Sequence, residues 1–179
     1  GPDGVAAISI LLYLDFVLIA INLGYSIGVA PLFSYNYGSG DCRKLKKLFR
    51  ISLYVCTSVG VVMTAGTVLF ADWLASVFSP AGSAVHALAA TGLRIFAVSY
   101  LFKGFSIFTS ALFTAFGNGT LSAILSFMRT LILLVSAILL FSSLFGITGV
   151  WSATPAAETI AFLLAAFLAW KYGKVYRYL

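Results

Sequence analysis

Three ionisable side chains stand where an apolar chain can least accommodate them. Asp15, Lys103 and Arg129 each interrupt a run of aliphatic and aromatic residues long enough to cross a bilayer. An uncompensated charge there costs at least about 2.5–3.5 kcal/mol, so such residues face a neighbouring helix or a wet cavity. Two chemistries follow. Asp15 can pair with Lys103 or with Arg129 and fix how the helices pack. Alternatively, these groups can bind and release a charged substrate or a coupling ion near the bilayer midplane. Asn22, two turns from Asp15 on nearly the same helical face, can extend such a site or serve as a hydrogen-bonding link between helices.

The stretch Gly24-Tyr25-Ser26-Ile27-Gly28 matches two patterns. As G-x-S-x-G it would be a serine nucleophile elbow, which needs a strand-to-helix turn and a histidine base. Here it lies inside an apolar helix, and the one histidine, His86, falls in a polar connection, so an enzyme is not expected. As G-x-x-x-G, Gly24 and Gly28 would let a second helix approach closely. Pro31, further along the same run, would bend the helix and free backbone groups. No phosphate-cradling glycine loop and no His/Cys/Asp/Glu metal cluster is apparent, so no metal or bound cofactor is expected. Cys42 and Cys56, one in a connection and one in a span, are placed for neither a disulfide nor a thiolate metal site.

The elements that must hold these residues are membrane helices. Hydrophobic residues make up 61% of the chain and charged residues 9%, against about a quarter charged in soluble domains. Helices are required because every backbone group must be satisfied without water. A crossing takes roughly 20 apolar residues, and five stretches qualify: 5–33, 51–71, 88–116, 121–145 and 156–176. Asp15 then lies about 15 Å deep at 1.5 Å per residue. Continuous rather than alternating apolar runs exclude a β-barrel. The connections predicted are a loop at 38–50, a break at 72–87, a turn at Asn118, and a loop at 146–158. Pro155 would occupy the first turn of the fifth helix, with Glu158 near its positive end. The fold class is therefore an all-α, polytopic transmembrane helix bundle.

Eight of the eleven Lys and Arg residues fall in two clusters, Arg43 to Arg50 and Lys171 to Arg177. Basic short loops mark the cytoplasmic side, and four spans separate the clusters, so both lie inside and the C-terminus is cytoplasmic. Topology and anionic headgroups account for most of the net charge of +6, and no nucleic-acid motif is present. Arg94 would snorkel at the outer interface. An odd number of spans starting outside, without a signal pattern, makes residues 1–179 read as an incomplete C-terminal bundle of a longer polypeptide.

The run Gly28-Val29-Ala30-Pro31-Leu32-Phe33-Ser34-Tyr35-Asn36-Tyr37-Gly38, followed at once by basic residues, resembles the multidrug and toxic compound extrusion (MATE) family. The likeness is to its bacterial multidrug-exporter and DinF-like branches. Asp3-Gly4-Val5-Ala6-Ala7, Phe116-Gly117-Asn118-Gly119, Arg129, and Gly146-Ile147-Thr148-Gly149-Val150-Trp151 leading to Pro155 and Glu158 carry the resemblance across the chain. It implies a twelve-helix exporter of two six-helix bundles in the cell membrane, with these spans as helices eight to twelve. It further implies antiport of small cationic or amphipathic drugs against sodium or protons, and an N-terminal bundle as partner. Some members keep an acid in the tenth helix; the matching span here has Lys103 and no acid, which leaves Asp15 as the midplane carboxylate. Two other classes stay open. One is a flippase for lipid or lipid-linked oligosaccharide, whose phosphate Lys103 and Arg129 would suit. The other is a membrane scaffold or intramembrane enzyme that transports nothing.

Overall fold

The structure is a computed structural model that describes residues 2–179. These residues form a polytopic helical bundle. Helix α1 (Pro2–Gly38) is followed by α2 (Cys42–Leu69), short α3 (Ala71–Phe78), α4 (Ala84–Phe96) and, after a single 3-10 turn (Ala97–Ser99), α5 (Tyr100–Ala115). Then come α6 (Gly119–Phe127), a π-helical segment (Met128–Leu133) and α7 (Leu134–Gly173). Four stretches are apolar and long enough to cross a membrane: Pro2–Gly38, Cys42–Leu69, Ala84–Ala115 and Gly119–Gly173.

The last of these crosses twice. Arg129 and Glu158 are 29 positions apart yet their side chains meet at 3.2 Å. A straight helix would hold them about 43 Å apart. The chain doubles back at Gly146, whose φ of 58° and ψ of −134° lie outside the helical region. Only glycine enters that region without strain. Gly149 is then pressed onto the Phe141 carbonyl, leaving no room for a side chain. α7 therefore has two antiparallel limbs, 134–145 and 147–173, and the five predicted crossings are present. Gly146→Ala is expected to cost about 1–2 kcal/mol, the penalty of forcing a Cβ into a left-handed backbone. Thermal unfolding in detergent checks it.

Three predicted connections are corrected. The basic stretch 43–50 is not a loop: α2 begins at Cys42, and Asp41 caps it by accepting a hydrogen bond from the Lys44 backbone N–H at 3.0 Å. That hydrogen bond and the Lys44 ammonium hold the Asp41 carboxyl below its ordinary value of 3.8. The capping contribution is complete above that value and is lost as pH falls through the lowered folded one. The break at 72–87 contains α3 and the start of α4. Residues 146–158 are helical rather than a loop, and Pro155 sits well inside the second limb instead of in its first turn. The limb before the proline is anchored by burial: Trp151 belongs to one buried cluster with Leu11, Leu93 and Phe96.

α5 is the hub, packed on α1, α2, α6 and the second limb of α7. Its junction with α4 is irregular in mid-span, and the Ala97 carbonyl there is met by the Thr64 hydroxyl of α2 at 3.0 Å. Such repair by a neighbouring side chain is what membrane depth requires. One end of the bundle is an aromatic cluster: Tyr37 to Phe116 at 5.0 Å, Phe116 to Tyr176 at 4.7 Å and Phe49 to Tyr178 at 4.6 Å. The Tyr178 hydroxyl donates to the Ala169 carbonyl at 2.7 Å, and burial pushes its phenol above the ordinary tyrosine value. Both basic clusters thus lie at one end, as their parity predicts. At the opposite end Ala7, Ala75, Ala89 and Ala90 pack together, and the Arg94 guanidinium pairs with Asp72 at 2.7 Å instead of only snorkelling. Exposed Val62, Leu139, Leu163 and Phe167 form part of the apolar outer surface that lipid would cover.

Candidate functional site

Each charged residue reaches the bundle centre for a local reason. Asp15 lies on the buried stripe of α1 with Leu11, Leu18 and Asn22, at helical spacing. Lys103 enters from the first turn of α5, directly after the 3-10 turn, and its ammonium rests 5.4 Å from the Phe96 ring centroid. Glu158 stands on a stripe of the second α7 limb with Thr154, Ala161 and Ala165, whose small side chains admit the neighbouring helices. Arg129 belongs to the π-helical segment. Such bulges shift side-chain register and concentrate at functional sites.

Together they make a chain of alternating charge. Lys103 Nζ is 2.6 Å from Asp15 Oδ1 and 3.7 Å from Glu158 Oε1. Arg129 Nη1 is 3.2 Å from that same Glu158 oxygen. Asp15 is 8% exposed, Lys103 3% and Glu158 6%, so three of the four are enclosed. Two acids and two bases cancel, which is how a bundle core tolerates four charges. Of the pairings open from sequence, Asp15 takes Lys103, and Arg129 takes Glu158. One acceptor is left over: Glu158 Oε2 is buried without a hydrogen-bond partner. An unmade bond of this kind costs about 1–3 kcal/mol, and more for a charged group.

Arg129 also borders a cavity of about 600 Å³ between α1, α5, α6 and the second α7 limb. Its wall combines aliphatic Leu23, Ile27, Ile107, Leu125 and Leu164 with the hydroxyls of Ser34, Ser106, Ser110, Thr114, Ser122 and Ser126. Ser110 Oγ lies 2.9 Å from Ser122 Oγ and 2.8 Å from Ser126 Oγ, and Thr114 donates to Ser122 at 2.7 Å. Pro31 and Ile27 both line the cavity, and proline has no N–H to return to the Ile27 carbonyl one turn back.

The remaining candidates fall elsewhere. Among the described residues Asn22 makes no hydrogen bond to the ion chain. Its Nδ2 donates to the Leu18 carbonyl at 3.1 Å, and its amide packs on Gly104, where an added Cβ would come within 2.5 Å of Asn22 Oδ1. It links α1 to α5. Gly24 and Gly28 are not a close-packing pair among the described residues: a Cβ at either would meet nothing within 4 Å. They lie on an exposed face, and the close approaches fall at Gly60 and Gly104 instead. Ser26 is no elbow either; its hydroxyl donates to the Asn22 carbonyl at 2.7 Å, while His86 sits by the Asp72 carbonyl. Glu158 is the functional candidate that the sequence reading passed over. It corrects the expectation that Asp15 is the sole midplane carboxylate. Its signal was an acid inside an apolar run, masked by the proline three residues before it.

A family model described as MatE matches residues 1–139. The chain is 27% identical over 150 residues to the multidrug export protein MepA of Staphylococcus haemolyticus, covering 84% of this chain and 32% of that protein. With human multidrug and toxin extrusion protein 1 it shares 23% identity over 154 residues, 85% of this chain and 27% of that one. The solved outward-facing conformation of a multidrug resistance MATE family transporter of the MOP superfamily aligns with a TM-score of 0.91 at 23% identity. That alignment covers 100% of this chain and 40% of the solved one. The chain spans about a third of the length of the first curated relatives it matches. With most of its residues under one family model and the same helical bundle throughout, the chain belongs to the MatE family, the multidrug and toxic compound extrusion family.

Proposed function

We propose that these residues form one bundle of an ion-coupled secondary exporter of small amphipathic molecules. The bundle works by alternating access against an N-terminal bundle of the same polypeptide, in the cell membrane. One observation carries the reading: the buried charge chain ends at Arg129, which is at once the ion-pair partner of Glu158 and part of the cavity wall. A proton or sodium ion arriving at the carboxylates changes what Arg129 offers to cargo, and cargo at Arg129 changes what the carboxylates hold. That reciprocity is the requirement for coupled transport. Multidrug export is what MepA is named for, and it is the activity we assign to the whole protein.

The experiment is dye efflux from proteoliposomes of the full-length protein with an imposed proton or sodium gradient. Uphill extrusion that collapses with the matching ionophore supports the reading. Efflux indifferent to both gradients, or none at all, refutes it.

A flippase for phosphate-bearing lipids is the second reading, favoured because Arg129 is the charge on the cavity wall while both carboxylates are enclosed. Gradient-independent scrambling of a phospholipid in the same vesicles would favour it.

The proposed orientation puts the basic clusters in the cytoplasm. A cysteine at position 86 should be labelled from outside the cell, and one at position 46 only after permeabilisation. The reverse pattern would overturn the orientation.

A further inference from the structure

The end of the bundle that carries both basic clusters has far more positive than negative charge. Eight of the eleven Lys and Arg residues gather there, and of the five acids only Asp41 joins them. Asp41 is taken by Lys44 at 3.1 Å. The other ion pairs among the described residues lie at mid-span or at the opposite end. Lys46 and Arg50 of α2 therefore have no acidic partner among them.

These two cations line a niche of about 280 Å³ together with Phe49, Leu53, Tyr178 and Leu179. One wall is α2, where Lys46, Arg50 and Leu53 follow at spacings of four and three on a single helical face. The other wall is formed by the residues after α7, and they are held in place. Arg177 has a φ of 61°, in the left-handed region that only glycine enters freely. The Tyr178 N–H donates to the Gly173 carbonyl at 3.1 Å, and the Tyr178 hydroxyl donates to the Ala169 carbonyl at 2.7 Å. These bonds keep the Tyr178 ring on Phe49, with centroids 4.6 Å apart. With its hydroxyl committed, Tyr178 gives the niche an apolar wall.

A ligand here must answer two cations one helical turn apart and cover the apolar surface beside them. Past Arg50 the same face of α2 turns aliphatic: Leu53 lines the niche, and Val61, eight residues on, is 49% exposed. Ile51 and Tyr54 are exposed alongside. From here α2 runs on as an apolar helix long enough to cross the membrane. Positive charge at headgroup level above an apolar strip complements an anionic phospholipid, phosphate at the cations and acyl chain along the strip. A free phosphate would use only the charged half.

We propose that this niche binds one anionic phospholipid, its phosphate held by Lys46 and Arg50 and an acyl chain lying along Leu53. The niche shares no residue with the cavity, so the proposal stands apart from the transport reading.

Native mass spectrometry of the full-length protein tests it, with phosphatidylglycerol, phosphatidylcholine and glycerol 3-phosphate as probes. The first phosphatidylglycerol should be held about tenfold more tightly than phosphatidylcholine, or better, because each basic residue at the headgroup adds attraction. Lys46→Gln with Arg50→Gln should remove that preference, and either substitution alone should reduce it about threefold. Lys171→Gln with Lys174→Gln removes the same charge from the same end but outside the niche, and should leave the preference within about twofold. All four side chains are exposed, so folding should survive, and melting temperatures in detergent check it. An equal loss in the two double variants would show diffuse attraction and overturn the site. An unchanged preference in Lys46→Gln with Arg50→Gln would overturn it too, as would equal retention of the two lipids. Glycerol 3-phosphate binding as tightly as phosphatidylglycerol would make the niche a soluble phosphate's and overturn the assignment to lipid.

Discussion

Asp15→Asn is expected to lower the stability of the full-length protein by about 3 kcal/mol, the lower end of the range for breaking a buried pair. The substitution removes the carboxylate 2.6 Å from the Lys103 ammonium in a setting where both are nearly inaccessible. Glu158 at 3.7 Å still offers partial compensation, which keeps the loss from reaching the upper end of that range. Adding Lys103→Met should recover most of it, because Glu158 and Arg129 would then remain as a balanced pair. A double-mutant cycle on thermal unfolding in detergent measures this coupling directly. Wild-type stability in Asp15→Asn, or no recovery in the double variant, would show that the ion chain does not hold the helices.

Gly60→Leu should be comparably damaging, at about 3 kcal/mol, the upper end for overpacking. Even a Cβ at this position would fall 2.7 Å from the Tyr100 carbonyl oxygen and 3.3 Å from the Leu101 Cα. Both are backbone atoms, so no side chain can swing aside; α2 would have to lift from the junction of the 3-10 turn with α5. That movement would also separate Thr64 from the Ala97 carbonyl it satisfies. Gly24→Leu, on an open face, is the internal comparison and should leave this bundle's packing unchanged. Equal melting temperatures for Gly60→Leu and the wild type would contradict the packing described.

What the sequence disclosed was set by the bilayer. Continuous apolar runs identify crossings because lipid leaves the backbone few options, and the two basic clusters identify one end because short basic loops stay on one side. Asp15, Lys103 and Arg129 were visible as candidates for the same reason: charge in an apolar run needs a partner. What stayed hidden depends on tertiary geometry. Gly146-Ile147-Thr148-Gly149 looks like a loop, but a single positive-φ glycine completes the reversal and lets 147–173 continue as helix. That extension moves Pro155 into a helix interior and Glu158 from a helix start to the charge chain. Gly24 and Gly28 have the spacing of a packing motif yet open space beside them, while Gly60 and Gly104 have no motif and touch neighbouring elements. Spacing along one helix says which residues share a face, not which face another helix covers. The cavity was likewise unreadable, because Ser34, Ser110, Ser122 and Ser126 come from three helices that only the fold brings together.

The central claim is that Glu158 connects the coupling ion to the cavity through Arg129. Its most direct test is simultaneous measurement of internal pH, internal sodium and dye efflux in proteoliposomes of the full-length protein, wild type against Glu158→Gln, at matched protein content and confirmed folding. Entry of one of the two ions should accompany dye extrusion in the wild type, and Glu158→Gln should still bind dye while losing both that ion entry and gradient-driven extrusion. Wild-type ion-coupled extrusion by Glu158→Gln would contradict the account.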